Sequence, residues 1–344
     1  MEKVKVGIVG VGGIAQDRHI PLLMEHPQAE VTTLFDVRLD LAEQVAQTFN
    51  IAHVATSYDT LFDQVDAVVI CTPNKFHSEI AIAALNAGVH VLCEKPMAIS
   101  KKECDDMIEA AKKHHKILTV AYHYRFTDVA IEAKRRIDEG VVGSPVVSRI
   151  QALRHRKVPG WGVFTNKALQ GGGCLIDYGC HVLDLVLWLL QITQPTEVSG
   201  RTYNKLSKQP HQINDWGEFD HETFNVEDHA TSYIVFDNDA TLQFECSWAA
   251  NINSDKLDIS ISGEKGGLQL FPFEVYEPRN GEYLIHQQDI TLNEDKAAER
   301  QTDNFIKSCL GIETPVVKME EARRVSQIIE AIYESNEKKQ TIQL

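Results

Sequence analysis

Along the first third of the chain, short apolar runs alternate with stretches of helical spacing. Val4–Val9 is almost continuously apolar, which predicts a strand buried on both faces. Gly13–Glu25 follows as a helix, and Glu30–Phe35 as a second strand that ends at Asp36. Leu39–Phe49 is helical, Ala67–Cys71 is a third strand, and Ser78–Asn86 is a helix stopped by Gly88. Val89–Cys93, the helix Lys101–His114 and the strand Ile117–Ala121 complete the series. Strands alternating with helices of this length imply an α/β domain: a doubly wound parallel sheet with helices on both faces.

The pattern then changes. Cys174–Leu190 is apolar on nearly all sides and predicts a buried helix. Asp177, His181 and Asp184 interrupt it at i, i+4 and i+7, which places them on one face. Beyond it, Thr231–Phe236 and Thr241–Cys246 flank Asp237-Asn238-Asp239-Ala240 and read as a hairpin. Lys256–Ser262 and Gly266–Leu270 suggest another strand pair. Glu320–Ser335 is an amphipathic helix with Ala322, Val325, Ile328, Ile329 and Ile332 on its core side.

A length of 344 residues favours two domains over one core. A formal charge of −15 argues against nucleic acid or an anionic membrane as the main partner, since phosphate binding needs a basic face. No apolar stretch reads as long enough to span a bilayer, and Met1-Glu2-Lys3-Val4 runs into a strand instead of a signal peptide. The seven cysteines include no CxxC pair, so reduced thiols in a cytoplasm are expected, with no metal site.

Several residues sit where chemistry is expected. Gly10-Val11-Gly12-Gly13-Ile14-Ala15 fits G-x-G-x-x-G/A between a strand and a helix, with the acid Asp36 following the second strand. Small residues there let backbone N–H groups approach a pyrophosphate at a helix N-terminus. Asp36 is expected to accept hydrogen bonds from ribose hydroxyls and to favour NAD over NADP, a preference that Arg38 blurs. Two later loops, Thr72-Pro73-Asn74-Lys75-Phe76-His77 and Glu94-Lys95-Pro96, follow strands and so lie where open α/β sheets bind ligands. A lysine behind a buried strand needs an anion or a reacting group as partner. In the second half, a histidine beside carboxylates on a buried helix suits acid–base work. Arg154-His155-Arg156-Lys157 is a basic cluster in an acidic protein; one or more of its members, with Trp161 following, is expected to bind an anionic substrate such as a uronate or phosphorylated sugar.

As an ordered set, Gly10-x-Gly12-Gly13-Ile14, Asp36, Thr72-Pro73-Asn74-x-x-His77 and Glu94-Lys95-Pro96 resemble the glucose-fructose oxidoreductase/inositol dehydrogenase (Gfo/Idh/MocA) family. The resemblance continues through Tyr122-His123-Tyr124-Arg125-Phe126, Gly171-Gly172-Gly173, Asn304-Phe305 and Glu321-Ala322-Arg323-Arg324-Val325. It implies a Rossmann domain over residues 1–123 and an α+β domain with an open, mostly antiparallel sheet over 124–344, the last helices packing back toward the former. It also implies an NAD(P) cofactor, with His123 among its contacts, a sugar or polyol substrate, and dimers or tetramers formed through the second sheet. The aspartate and histidine matching Asp177 and His181 would join the lysine matching Lys95 as the catalytic set, both also touching substrate, with Asp184 behind them. Gln191 departs from the glycine that ends this helix in many relatives, and Gly171-Gly172-Gly173 is expected to be a flexible lead-in to it.

The implied activity is hydride transfer between a secondary alcohol and nicotinamide. Two alternatives share these residues: an NAD-dependent glycosidase that oxidises its substrate transiently, and a non-enzymatic cofactor-binding regulator.

Overall fold

A computed structural model describes residues 3–191 and 194–344, so Met1 and Glu2 of the predicted lead-in lie outside the described residues. The chain divides into two compact units: Met1–Phe126 with Glu294–Ser326, and Thr127–Asn293 with Gln327–Leu344.

The first unit is built on six strands: β1 (Val4–Val9), β2 (Ala29–Phe35), β3 (His53–Val54), β4 (Ala67–Ile70), β5 (His90–Cys93) and β6 (Leu118–Val120). They pair in parallel in the order β3-β2-β1-β4-β5-β6, so the direction of winding reverses between β1 and β4. Val6, Ile8, Val69 and Leu92 are buried at the sheet's centre, as their uninterrupted apolar runs require. The helices Leu39–Phe49 and Lys101–His114 form over the predicted spans. Ser100 and Glu103 close a reciprocal capping box at the start of the second of these. The helix predicted over 13–25 is present, but Ala15–His19 is π-helical, closed by Ile20 N–H donating to Ala15 O five residues back. β3 and the short helix Tyr58–Phe62 are too brief for periodicity to announce.

The returning segment completes this core. Within the helix Glu294–Cys309, Phe305 and Ile306 bury against the same apolar cluster. Arg125, 1% exposed, pairs with Glu321 and donates to Val316 O at 3.2 Å. Thr119 Oγ1 donates to Val317 O. The Tyr122–Phe126 motif is thus an attachment point for the returning chain.

The second unit holds nine strands: β7 (Pro145–Leu153), β8 (Pro195–Tyr203), β9 (His229–Phe236), β10 (Thr241–Ser247), β11 (Lys256–Gly263), β12 (Gly267–Gln269), β13 (Phe273–Arg279), β14 (Glu282–Gln288) and β15 (Ile342–Gln343). Their order is β14-β13-β12-β11-β7-β10-β9-β8-β15; the β7/β10 pair is parallel and the other pairs are antiparallel. The predicted hairpin is β9–β10, turning through Asp239 at a φ of 62°. Ile150, Ala152, Phe244 and Cys246 line one buried face. The helical stretch from Cys174 to Leu190 lies on that face: a Cβ on Gly179 would stand 3.0 Å from Phe244 Cζ and 3.1 Å from Cys246 Sγ. The opposite face is polar, with Gln151 donating to Glu245 at 2.9 Å and Lys256 donating to Gln151.

Residues Lys167–Leu190 are long and apolar enough to cross a bilayer by length and composition, although no such stretch was expected. Its most apolar 18-residue window is 89% buried, so its apolar character serves the core of this unit. Gln191 ends the helix in the left-handed conformation, φ 50°, and its amide donates to Asp138 at 2.7 Å. That bond helps to hold a side chain where glycine would be unstrained.

Candidate active site

The carboxyl ends of β1, β2, β4 and β5 gather the predicted cofactor residues of the first unit. Gly10 has a φ of 88°, and a Cβ there would meet Cys71 C and O at 2.8 Å and Thr72 N at 2.9 Å. Only glycine permits both that conformation and that approach. Gly12 is the opposite case: an added Cβ meets nothing within 4 Å, so its open side is free for a ligand to come close. Gln16 donates to Val11 O at 2.7 Å and braces the loop over Gly12, Gly13 and Ile14.

Asp36 is buried and braces the loop. Its Oδ2 accepts Val11 N–H at 3.0 Å, and its Oδ1 accepts Arg38 N–H at 2.9 Å. The Arg38 guanidinium lies 3.5 Å from the same carboxylate, but its side chain is 64% exposed. A carboxylate has acceptor sites beyond these two bonds, which leaves capacity for ribose hydroxyls.

His77 ties the other two loops together. Its Nδ1 lies 2.8 Å from Pro96 O and its Nε2 lies 3.0 Å from Thr72 O. Burial pushes its pKa down, outweighing the two carbonyls that pull it up. A neutral imidazole donates through one nitrogen only, so one of these two contacts is not a hydrogen bond in that form. Asn74 begins the turn Asn74–Phe76 within the first of these loops, following Pro73. Thr72 Oγ1 is buried with no hydrogen-bond partner among the described residues. An orphaned hydroxyl beside a glycine loop with open space fits a bound dinucleotide.

Sequence reasoning missed His19 and Arg18 on the π-helical stretch. His19 is 1% exposed, and its Nε2 lies 2.8 Å from Glu94 Oε1. Burial alone would raise the Glu94 pKa, yet the His19 hydrogen bond and charge, with Lys95 and Arg18, bring it down to about 2. Glu94 Oε2 in turn accepts Lys95 N–H at 3.1 Å, which fixes the backbone that carries the Lys95 side chain. The signal was a histidine four residues after Ala15 on the helix that opens the glycine loop.

His123 is placed in a network that sequence also missed. Arg18 Nη1 donates to His123 Nδ1 at 3.4 Å, so Nε2 carries the proton given to Glu294 Oε2 at 3.1 Å. The same contact, outweighing burial, lowers the Glu294 pKa.

In the second unit Asp177 lies on a second π-helical stretch, Leu175–Gly179, that leads into the helix Cys180–Leu190 carrying His181 and Asp184. Such local unwinding recurs at functional sites. Trp248 Nε1–H donates to Asp177 Oδ2 at 3.0 Å, and Arg154 Nη1 stands 3.8 Å from that oxygen. His181 is 8% exposed and Asp184 fully buried. Glu227, also missed, anchors the start of this helical stretch. Its Oε1 accepts Gly173 N–H at 2.8 Å, Leu175 N–H at 3.0 Å and Tyr333 O–H at 2.9 Å. The Gly171-Gly172-Gly173 segment is therefore not a flexible lead-in. A Cβ on Gly172 would fall 1.8 Å from Tyr333 Oη, and one on Gly173 would fall 2.1 Å from Glu227 O. These glycines admit close packing.

The basic cluster separates by role. Arg156 donates to Ala249 O at 2.8 Å and to Ala250 O at 3.2 Å, and also reaches Asn251. Lys157 pairs with Asp255, and His155 bonds Asp255 and Ile252. Arg154 faces Asp177 and packs over the rings of Tyr178 and Trp216. Its nearest charge is thus an acid, and the other three members are engaged by neighbouring loops. The expected anion site loses its free cations.

Known proteins are similar to this chain in sequence and in fold. The chain is 34% identical over 338 residues to D-glucoside 3-dehydrogenase of Escherichia coli (strain K12), covering 97% of this chain and 95% of that protein. It is 28% identical over 300 residues to levoglucosan dehydrogenase of Pseudarthrobacter phenanthrenivorans, covering 80% and 75%. A levoglucosan dehydrogenase solved in complex with NADH and levoglucosan shares the fold with a TM-score of 0.85 at 21% identity, covering 99% of each chain. Residues 4–122 match the oxidoreductase family with an NAD-binding Rossmann fold, and residues 130–269 match the GFO/IDH/MocA C-terminal domain. With both of its characteristic domains matched in order, the chain belongs to the Gfo/Idh/MocA family of NAD-binding oxidoreductases.

Proposed function

We propose that this protein is a sugar dehydrogenase that moves a hydride reversibly between a secondary alcohol of a sugar, polyol or glycoside and nicotinamide. The observation that carries the reading is the Asp177–His181 pair: a carboxylate held by Trp248 and Arg154, four residues before a buried histidine on one helical stretch. The relative named for oxidising glucosides, alike over almost its whole length, supports the same reaction class.

NAD, when bound, supplies the hydride acceptor. The Gly10–Ile14 loop, Asp36, Thr72 and the Glu94-Lys95-Pro96 turn would hold it. His181 would accept the hydroxyl proton during oxidation, and Asp177 would orient the substrate or the imidazole. Lys95 would stabilise charge that develops on the alcohol oxygen. Because Arg154 already faces Asp177, neutral sugars suit the site better than uronates or phosphorylated sugars. We further propose self-association through the outer face of the nine-stranded sheet, near Tyr283 and Ile285, which are 65% and 60% exposed.

The test is nicotinamide absorbance with NAD⁺ and a panel of inositols, aldoses, anhydro-sugars, glucosides and uronates. Accumulating NADH with a neutral member supports the reading. Release of an aglycone with no net NADH would instead indicate a glycosidase.

A further inference from the structure

Trp161 is 53% exposed and Trp216 is 37% exposed. Their ring centroids lie 5.4 Å apart, tilted by 51°, and Phe164 meets Trp161 edge-on at 6.2 Å. Tryptophan is highly buried on average, and clustered exposed aromatics mark binding surfaces.

The two indoles come from separate segments, and several hydrogen bonds hold those segments together. Val158 N–H donates to Asn214 Oδ1 at 2.8 Å, and Asn214 Nδ2 donates back to Val158 O at 2.9 Å. The same amide reaches Gly217 O at 2.7 Å, and Asp215 N–H donates to Arg156 O at 2.8 Å. Gly160 completes the interlock, since a Cβ there would stand 2.5 Å from Glu218 O. Arg156, itself tied to Ala249 and Ala250, anchors this segment from below. The pair is thus pre-organised, and a ligand need not pay to order it.

The aromatic surface is continuous with Asp177. The Arg154 guanidinium carbon lies 4.5 Å from the Trp216 ring centroid and 4.1 Å from that of Tyr178. Its Nη1 is 3.8 Å from Asp177 Oδ2. Asp177, Arg154, Trp216 and Trp161 therefore run outward in sequence from the helix to solvent.

We infer that Trp161 and Trp216 form a stacking subsite for the aglycone of a glycoside, a second pyranose or an aromatic ring joined to the sugar that is oxidised near Asp177. Flat indole faces match the C–H face of a pyranose or an aryl ring. Arg154 and the indole N–H groups supply donors at the edges for hydroxyls. A free monosaccharide would occupy the Asp177 end and leave the tryptophans uncovered. The inference rests on the proposed sugar dehydrogenase reading, and deepens it by giving the group joined to the oxidised sugar a place of its own.

The experiment measures affinity and turnover for methyl, phenyl and glucosyl glucosides. It uses the full-length protein with NADH bound for intrinsic fluorescence titration, and NAD⁺ for turnover. The wild type is expected to bind the phenyl and glucosyl compounds up to about tenfold more tightly than the methyl compound. Trp216→Ala and Trp161→Ala should each shrink that ratio toward one, and Trp216→Phe should restore part of it. Equal affinities across the wild-type series, or a ratio unchanged in both alanine variants, would overturn the subsite. Tight, tryptophan-dependent binding with no turnover of any sugar would leave the subsite standing and sink the proposed reaction instead.

Discussion

His19 and Glu94, 75 residues apart in sequence, face each other at 2.8 Å inside the first unit, with His19 Nε2 against Glu94 Oε1. The contact links the helix that opens the glycine loop to the turn that carries Lys95. One buried pair therefore braces both the helix after the glycine loop and the backbone of Lys95, and we propose that His19 positions Lys95.

That link predicts a pH effect. Glu94 titrates at about 2 in the fold against an ordinary 4.5, a depressed value. Its stabilising contribution, on the order of 3 kcal/mol, is thus fully present above pH 4.5 and disappears as pH falls toward 2. His19→Leu removes the main partner, so burial should raise the Glu94 pKa into the assay range. The acidic limb of the kcat profile should move to higher pH, and adding Glu94→Gln should abolish that movement. An acidic limb identical to wild type in His19→Leu would refute the positioning role.

Cofactor choice should depend on Asp36 in two ways. The wild type is expected to bind NADH more tightly than NADPH, as measured by nucleotide fluorescence. Asp36→Ala removes the ribose acceptor and also the acceptor of Val11 N–H, so it should weaken NADH binding and erode the preference together. Tighter wild-type binding of NADPH would contradict the assignment.

Gly172→Ala should destabilise the second unit by about 1–3 kcal/mol or more, because the new methyl overlaps Tyr333 Oη. Tyr333→Phe in the same chain should recover part of the loss by removing the overlapping oxygen. Thermal unfolding checks both, and an unchanged midpoint in Gly172→Ala would return these glycines to a flexible role.

Self-association through the outer sheet face predicts a dimer or larger species in light scattering. Tyr283→Glu with Ile285→Glu should shift it toward monomer. A wild-type monomer at micromolar concentration would exclude the proposal.

The Rossmann half was legible because its signals are local. The glycine loop, Asp36 and Glu94-Lys95-Pro96 each sit at the end of a strand whose apolar run is unbroken, and the Leu39–Phe49 and Lys101–His114 helices carry their own caps or period. The partners that tune these residues were not legible, because they are distant in the chain. Glu227 reaches Gly173 across 54 positions, and Glu294 reaches His123 across 171. Arg154 and Arg156 are the same residue type two positions apart, and nothing in composition separates them. The backbone route after β7 does, sending one to Asp177 and the other to loop carbonyls. Similarly, three adjacent glycines read as flexibility until Tyr333 and Glu227 appear against two of them, Gly172 and Gly173.

The most direct test of the account is the rate of NADH formation from the best neutral glycoside, measured for wild type, Lys95→Ala and His181→Ala, with NADH affinity determined on the same preparations. Each variant is expected to lose about 10²–10⁴-fold in kcat while binding NADH almost as the wild type does, since in Lys95→Ala the backbone of the Glu94-Lys95-Pro96 turn still faces the cofactor. Near-wild-type turnover in either variant would contradict it.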